Sequence, residues 1–370
     1  MIQRILASLI EQKIGTQKAI ILVGPRQTGK TTLIHSLLEK RSVLFFDGDD
    51  PVAKRLLTRA NTEQLRNLIK ETPFVFIDEA QRIEEIGFTL KLITDHIPST
   101  QLFVTGSSSF EIGNIMNEPL TGRKWEYTLF PVSWREFSDD AGILKSEQQL
   151  PLRLIYGMYP EVITHFGNEY EILKQLTDSY LYKDILAFGG IRKPKILKKL
   201  LRALAFQVGN EVSYRELSLL LGIDTKTVST YIDLLEQTYV IFTLSPFSRN
   251  LRNEIKRNSK IYFYDNGILN TIKGNLNPWE TREDKGALWE NFLISERIKK
   301  NAYDLSLARP FFWRTKQQQE VDYVEEDGEK ITGYEFKWSP QAKPKEPGTF
   351  IKTYHADFRV IHSENFNEFV

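Results

Sequence analysis

The stretch that decides the fold is ILVGPRQTGKTT, which runs from Ile21 to Thr32. Gly24 to Thr31 matches the spacing G-x-x-x-x-G-K-[ST] in full, with a strand-like apolar run before it and a helical run after it. In that arrangement backbone N–H groups at a helix start surround a phosphate, the lysine reaches the β and γ oxygens, and the next hydroxyl binds Mg²⁺. The stretch therefore predicts a nucleotide-binding loop for ATP or ADP. The residues expected to contact the nucleotide are Gly24, Pro25, Arg26, Gln27, Thr28, Gly29, Lys30, Thr31 and Thr32.

A second motif, FVFIDEAQ over residues 74–81, places two acids at the end of an apolar strand. Hydrolysis of a bound nucleotide needs a further metal ligand and a group that orients the attacking water. We expect Asp78 to bind Mg²⁺ together with Thr31, and Glu79 to polarise the water. A strand that simply ends in solvated acids is the alternative, but the upstream phosphate loop favours function. The two motifs together predict ATP hydrolysis, with Lys30 and Glu79 as catalytic residues.

Two further residues are candidates for contacting the γ-phosphate. Ser107 lies in LFVTGSSS (102–109), where Ser108 is an equivalent choice, although a hydroxyl-rich loop that caps a helix gives the same pattern. Arg123, in LTGR (120–123), could approach the γ-phosphate in its own chain or in a neighbouring copy. An arginine paired with a surface acid explains Arg123 equally well.

The first third of the chain alternates apolar strands with helices, from KAIILVG through SVLFFDGDD and PFVFIDEA to QLFVTGSSS. Near-continuous apolar strands separated by helices predict an α/β fold with a parallel sheet covered on both faces. From about Trp134 the pattern becomes helical, and from about Glu280 a helix is followed by the short strands FFWRT, EVDYVEE and YEFKW.

The composition narrows the class of protein. The chain has 370 residues, 41% of them hydrophobic, which predicts a soluble protein of several domains. It has no cysteine, which excludes disulfides and thiolate metal sites, and its five histidines lack ligand-like spacing. The apolar runs are too short to span a bilayer, and MIQRILASLIEQK indicates a surface helix rather than a signal peptide. We therefore expect a cytoplasmic protein with no membrane partner. Because the net charge is only +1, nucleic-acid binding would need a local basic patch.

Residues 213–237 have helix-turn-helix spacing, with a capping box from Ser213 to Glu216 and a turn at Gly222. Side chains expected to pack inward are Leu217, Leu220, Leu221, Val228, Ile232 and Leu235. Side chains expected to point outward from the second helix, where they suit a DNA major groove, are Lys226, Thr227, Ser229, Thr230 and Tyr231.

The segment after this helix pair, SPFSRNLRNEIKRNSKIYFYD (245–265), fits the wing of a winged helix. Its basic side chains, which could neutralise DNA phosphates, are Arg249, Arg252, Lys256, Arg257 and Lys260. A winged helix that binds protein, or packs against the ATPase core, remains the alternative, because basic stretches are often solvated faces.

The C-terminal stretch EVDYVEEDGEKITGYEFKW (320–338) predicts a hairpin. Glu335 and Lys337 are two residues apart on one strand, so their side chains share a face. With Asp322 on the other strand and Glu290 on the preceding helix, they are typical of a metal-dependent nuclease centre that binds Mg²⁺ or Mn²⁺. An amphipathic hairpin with salt-bridged outer faces is the alternative.

In combination these motifs resemble a family of prokaryotic AAA-type ATPases close to the archaeal-type ATPases. The resemblance covers nearly the whole chain and rests on GPRQTGKTT, FVFIDEAQ, VTGSSS, LTGR, YPEV, YLYKDIL, YFYDNGI and EVDYV…YEFKW in that order. It implies a P-loop domain followed by a winged helix and a restriction-endonuclease-like region of unassigned function. It also implies nucleotide contacts at 24–32, a Mg²⁺ and water pair at Asp78 and Glu79, and γ-phosphate sensing near Ser107 and Arg123. The sensing strand carries serine where many AAA-type ATPases have asparagine.

We therefore expect four regions: an AAA-type P-loop core (1–135), a helical lid (136–195), a winged helix (196–275) and a restriction-endonuclease-like domain (276–370). The leading hypothesis is a Mg²⁺-dependent ATPase whose nucleotide state controls a DNA-associated, nuclease-like module. One alternative is an ATP-regulated metal-dependent DNase. The other is a nucleotide-dependent switch that binds protein partners, with homo-oligomers left open.

Overall fold

The computed structural model describes residues 2–107, 119–180, 194–249, 259–315, 317 and 319–370. The chain divides into two compact units. Unit 1 is Met1–Phe130 with Gln237–Tyr239, and unit 2 is Pro131–Glu236 with Val240–Val370.

Unit 1 is built around a five-stranded parallel sheet with the strand order β2-β3-β4-β1-β5. Its strands are β1 (Ala19–Val23), β2 (Val43–Asp47), β3 (Phe74–Asp78), β4 (Gln101–Thr105) and β5 (Lys124–Thr128). Its helices are α1 (Ile5–Glu11), α2 (Lys30–Leu38), α3 (Pro51–Leu57), α4 (Thr62–Ile69) and α5 (Ile86–His96), with a 3₁₀ turn at Ala80–Arg82.

The sequence of β1 explains its central place in this sheet. All five side chains of AIILV are buried, although consecutive side chains point to opposite faces, so both faces of the sheet are covered there. The predicted parallel α/β arrangement is confirmed. Sequence analysis missed β5, because KWEYT is a polar edge strand without an apolar run.

Parallel pairing determines where the loops of unit 1 meet. Ile20 pairs with Phe103 and Phe76 pairs with Phe103 from the other side, so β1, β3 and β4 end at the same edge of the sheet. The loops that follow Val23, Asp78 and Thr105 therefore converge at the carboxyl edge, where ligands bind in open α/β sheets.

Unit 2 combines ten helices of the described residues with a seven-stranded sheet. Its helices are α6 (Trp134–Ala141), α7 (Ile143–Tyr156), α8 (Pro160–Thr164), α9 (Glu169–Gln175), α10 (Pro194–Phe206), α11 (Tyr214–Leu221), α12 (Thr225–Gln237), α13 (Asn266–Lys273), α14 (Lys285–Tyr303) and α15 (Gly348–Tyr354). Its strands are β6 (Glu211–Val212), β7 (Ile241–Pro246), β8 (Ser259–Phe263), β9 (Arg309–Arg314), β10 (Glu320–Asp327), β11 (Lys330–Phe336) and β12 (Asp357–Ile361).

The strand order β12-β11-β10-β9-β7-β8-β6 differs from the expected division into separate domains at 275/276. The hairpin β7–β8 joins the C-terminal strands because β7 pairs in parallel with β9 at Ser245 and Phe311. An exposed strand edge presents unpaired N–H and C=O groups, and here two such edges satisfy each other. The first unit boundary, at Phe130 and Pro131, lies five residues before the expected one.

The helix pair α11–α12 has the predicted turn, since Gly222 adopts a left-handed φ of +65° and Ser213 caps α11. Two burial predictions for this pair were wrong. Leu220 is 68% exposed on the outer side of a short helix. Tyr231 is only 7% exposed, because it lies on the same face of α12 as Val228 and Leu235.

Candidate functional site

The predicted phosphate loop connects β1 to α2, and two of its glycines are required by backbone geometry. Gly24 has a φ of +140°, and a Cβ atom there would lie 2.3 Å from the Leu129 carbonyl oxygen. Gly29, the N-cap residue of α2, has a φ of +92°. Side-chain-bearing residues rarely adopt these angles, so the loop follows a path that glycine alone permits at low cost.

Lys30 is buried within the loop. Its ammonium donates to the carbonyl oxygens of Gly24, at 2.9 Å, and Pro25, at 2.7 Å. The Thr28 hydroxyl donates to the same Pro25 carbonyl at 2.9 Å. The lysine thus spans the concave side of the loop, where an anion would accept its protons in place of the carbonyls.

The two predicted Mg²⁺ ligands are in direct contact. The Thr31 hydroxyl donates to Asp78 Oδ2 at 2.9 Å. The hydroxyl of Thr105, the last residue of β4, donates to Asp78 Oδ1. Hydroxyl and carboxylate oxygens are the hard ligands that Mg²⁺ takes, so Thr31 and Asp78 fit this ion.

Glu79 and Ser107 are joined by Gln81, which lies in the FVFIDEAQ motif but was not predicted as a site residue. The side-chain amide of Gln81 donates to Glu79 Oε2 at 2.5 Å and to Ser107 Oγ at 3.0 Å. Glu79 itself has a φ of +46°, a left-handed conformation that is strained for a glutamate. Gln81 therefore fixes the carboxylate of Glu79 next to Ser107.

Two more residues of this site carry no sequence signal. Arg4, just before α1, is buried and donates to the carbonyl oxygens of Thr28, at 2.7 Å, and Phe130, at 2.6 Å. The N-terminal segment thus braces the phosphate loop as well as forming the expected surface helix. Gly48, after β2, lies against the Glu79 backbone, where a Cβ atom would come within 2.3 Å of the Glu79 carbonyl oxygen.

Arg123 is not brought to the phosphate loop within this chain. It directly precedes β5, which runs parallel to β1 with Lys124 opposite Ala19, so it lies at the amino edge of the sheet. Five residues of strand, about 16 Å, separate that edge from the loop. Its guanidinium pairs with Asp95 at 2.5 Å, which matches the ion-pair alternative. A role towards a neighbouring copy stays a prediction.

The side chains predicted to contact DNA differ in their exposure and in their local hydrogen bonds. Lys226 is exposed at the start of α12. The Thr227 hydroxyl donates to Asp224 Oδ2 at 2.6 Å, which lowers the pKa of that exposed carboxyl, and the Thr230 hydroxyl donates to the Lys226 carbonyl at 3.0 Å. Both threonine hydroxyls thus have local partners. The Arg249 guanidinium lies 5.9 Å from the centre of the Tyr354 ring. Arg252, Lys256 and Arg257 lie outside the described residues.

The residues predicted to form a nuclease-like centre lie together in unit 2. Glu290 projects from α14, Asp322 from β10, and Glu335 from β11, which Lys337 follows. Lys337 donates to Glu335 Oε1 at 2.7 Å, and the Phe336 backbone N–H donates to Asp322 Oδ2 at 2.9 Å. The register of β10 against β9 shifts between Val321 and Val324, and such bulges re-aim a side chain.

Lys260, assigned by sequence to a basic DNA-binding patch, belongs to this centre instead. It is buried on β8, and its ammonium lies 2.5 Å from Glu320 Oε1 and 3.5 Å from Glu290 Oε1. The Tyr262 hydroxyl donates to the same Glu290 oxygen at 2.6 Å. We refer to the following six residues as the carboxylate–lysine cluster: Lys260, Glu290, Glu320, Asp322, Glu335 and Lys337.

Two acids of this cluster, Glu290 and Asp322, are harder to ionise than free carboxyl groups. Burial raises the pKa of Asp322 well above its usual value, and the nearby charges of Glu290 and Glu335 raise it further. Burial also raises the pKa of Glu290, against the opposing effect of Lys260. Among the described residues, no group of three or more His, Asp or Glu side chains is arranged to hold a metal ion. The predicted residues therefore converge, but without the geometry of the expected metal site.

Within the described ranges, the structure contains no helix both long and apolar enough to cross a lipid bilayer.

Three family models match successive parts of the chain. Residues 16–138 match a family described as AAA domain. Residues 147–278 and 285–367 match two families, each described as a domain of unknown function (DUF8612 and DUF4143).

Two relatives and one solved structure are similar to most of this chain. An uncharacterized protein of Mycobacterium tuberculosis is 29% identical over 340 residues, which are 90% of this chain and 73% of the relative. An uncharacterized protein of Methanocaldococcus jannaschii is 23% identical over 389 residues, covering 97% of this chain and 82% of the relative. A Walker-type ATPase of Pyrococcus abyssi has a TM-score of 0.51 at 16% identity, covering 74% of this chain and 96% of that one.

The sheet, the loop and these similarities support one class of protein. Residues 16–138 form a P-loop domain similar to the AAA domain family, on an α/β fold that resembles a Walker-type ATPase.

Proposed function

We propose that this protein is a Mg²⁺-dependent ATPase that uses the site at the carboxyl edge of the unit 1 sheet. The observation that carries the proposal is the contact between Thr31 and Asp78, 2.9 Å long, which unites the phosphate loop and the acidic strand end at one point. A phosphate loop alone predicts nucleotide binding. Asp78 and Glu79 next to it would supply the metal ligand and the water-orienting group that hydrolysis requires.

Each residue has a defined part in the proposed reaction. The loop amides and Lys30 hold the phosphates, and Thr31 with Asp78 would hold Mg²⁺, which neutralises charge on the phosphate oxygens when bound. Glu79 accepts a hydrogen bond from the attacking water and orients it. Gln81 and Ser107 position Glu79, since one side-chain amide contacts both residues.

The direct test is phosphate release by purified protein with ATP and Mg²⁺. Lys30→Ala should abolish turnover and weaken ATP binding. Glu79→Gln should abolish turnover while ATP binding, measured by fluorescent-nucleotide titration, stays within about threefold of wild type. Normal phosphate release by both variants would refute the proposal.

Control of a DNA-associated module by the nucleotide state is the wider form of this proposal. Its support is the helix pair α11–α12 with Lys226 exposed near the start of the second helix. ATPase rates should be compared with double-stranded DNA, single-stranded DNA and no DNA. A rate that changes with DNA and loses this response at high salt supports it, because phosphate contacts are salt-dependent. A rate that ignores DNA, together with a recovered protein partner, supports the protein-switch alternative.

Metal-dependent DNA cleavage is the rival function that the sequence predicts. The proximity of Glu290, Asp322, Glu335 and Lys337 motivates its test, whereas the buried ammonium of Lys260 beside Glu290 opposes it. Plasmid and single-stranded DNA should be incubated with Mg²⁺ or Mn²⁺, using wild type and Asp322→Asn. Cleavage that the substitution removes would establish this function, and intact DNA in both samples would reject it.

A further inference from the structure

The carboxylate–lysine cluster has its own buried cation. We propose that the Lys260 ammonium occupies the place that a divalent metal would need, so that the folded chain binds neither Mg²⁺ nor Mn²⁺ there. It follows that unit 2 does not cut nucleic acid by a metal-dependent route. This inference concerns unit 2 alone and is independent of ATP turnover.

The first support is the position of the ammonium among the acids. The Lys260 side chain is only 2% exposed, and its ammonium contacts Glu320 Oε1 and Glu290 Oε1 at 2.5 and 3.5 Å. It also interacts electrostatically with Asp322. A divalent ion bound by these oxygens would lie beside a buried positive charge, which is strongly unfavourable at short range.

The second support is that the surrounding sheet confines the Lys260 side chain. Its strand, β8, is paired on both sides, with Lys260 opposite Leu244 of β7 and opposite Glu211 of β6. Its ammonium lies 5.4 Å from the centre of the buried Phe312 ring. The backbone is therefore held in the sheet, and the side chain cannot swing into solvent to admit a metal.

The third support is that each acid of the cluster has a donor supplied by the chain. Glu290 accepts from Tyr262 at 2.6 Å, and Glu335 accepts from Lys337 at 2.7 Å. Asp322 accepts from the Phe336 backbone N–H at 2.9 Å. Glu320 faces Lys260 at 2.5 Å on one oxygen and Arg314 at 3.8 Å on the other. Metal ligation would have to replace these interactions.

The two lysines of the cluster are not equivalent. The Lys337 side chain is 38% exposed and extends from the end of a strand, so it can move aside without leaving a buried charge. Lys260 cannot. Lys337→Ala is therefore a matched control for Lys260→Ala, since both remove one ammonium from the same cluster.

The test measures Mn²⁺ binding to nucleotide-free, full-length protein by electron paramagnetic resonance of the free ion. Wild type and Asp322→Asn share the same site in unit 1, so a difference between them reports on the cluster. We expect equal stoichiometry for both proteins at up to about 1 mM Mn²⁺. A loss of one equivalent in Asp322→Asn, repeated in Glu335→Gln, would overturn the proposal.

The converse experiment removes the resident cation. Lys260→Ala should gain one Mn²⁺ equivalent, the double variant Lys260→Ala with Asp322→Asn should lose it, and Lys337→Ala should gain none. A folded Lys260→Ala protein that gains no Mn²⁺ would overturn the proposal. If this variant does not fold, the comparison of wild type with Asp322→Asn still decides it.

Discussion

Two acidic sites of this chain use similar residues and differ in what surrounds the carboxylates. At Asp78 the partners are neutral hydroxyls, from Thr31 and Thr105. At Glu290 and Glu320 the partner is the buried ammonium of Lys260. Hydroxyl partners orient a carboxylate and leave its charge available to an incoming cation. An ammonium neutralises that charge before any metal arrives.

The contrast teaches that residue type alone does not define a metal site. Both sites combine acids with a nearby lysine, Lys30 in unit 1 and Lys260 in unit 2. The Lys30 ammonium donates to two backbone carbonyl oxygens of its own loop. Lys260 is bonded to the acids themselves. The first arrangement can accept an anion and a metal together, whereas in the second a buried ammonium already lies against the acids.

The largest effect is expected at Glu79. Glu79→Gln should lower kcat by about 10²–10⁴-fold, because the amide cannot polarise water as the carboxylate does. Steady-state phosphate release measures this. Glu84→Gln, at an exposed acid 3.9 Å from Arg59, is the control and should retain wild-type kcat. A kcat of the Glu79→Gln variant within a factor of three of the wild-type kcat would remove the distinction between the two acidic sites.

The next largest effect concerns stability. Lys260→Met should lower the free energy of unfolding by about 3–5 kcal/mol, since it leaves buried carboxylates without their cation. Urea unfolding followed by tryptophan fluorescence measures this. Lys330→Met, which loses an exposed contact to Asp357 at 3.9 Å, should cost at most about 1 kcal/mol. Equal losses of unfolding free energy in the two variants would contradict the burial of the Lys260 ammonium among carboxylates.

A smaller effect is expected at Gln81. Gln81→Ala should lower kcat by about 10–100-fold with little change in nucleotide affinity, because Glu79 and Ser107 lose the side chain that joins them. A stopped assay over a range of ATP concentrations separates kcat from KM. An increase in KM alone would indicate that Gln81 contributes to binding rather than to the position of Glu79.

The smallest effect tests a second internally neutralised acid of unit 2. Burial raises the pKa of Asp284, but hydrogen bonds from Arg282 and Lys273 outweigh this and hold the pKa at about 2. The resulting stability, at most about 2 kcal/mol, is fully present above pH about 4 and is lost as the pH falls through about 2. In urea unfolding, the free energy of unfolding of Asp284→Asn should therefore differ most from that of wild type at pH 7 and less at pH 3. A difference independent of pH would argue against the ion pairs as its source.

Local sequence was informative where a function needs special backbone geometry. The loop from Gly24 to Thr31 could be recognised because its glycines, lysine and threonine occur at a spacing that few other structures require. Asp78 and Glu79 could be recognised because they end an apolar strand. Gln81, Arg4 and Gly48 could not, since their roles depend on contacts with Ser107, Phe130 and Glu79 that lie far away in the sequence or have no motif.

The sequence by itself determined the parallel α/β core, the phosphate loop and the acids beside it, because these follow from strand periodicity and short-range spacing. Only the tertiary structure decided that β7 joins β9, that Arg123 lies at the far edge of its sheet, and that Lys260 points into the acids rather than towards DNA. The physical reason is that a lysine on a strand has the same local pattern in either role. Its charge acquires a partner only when strands distant in sequence are packed side by side.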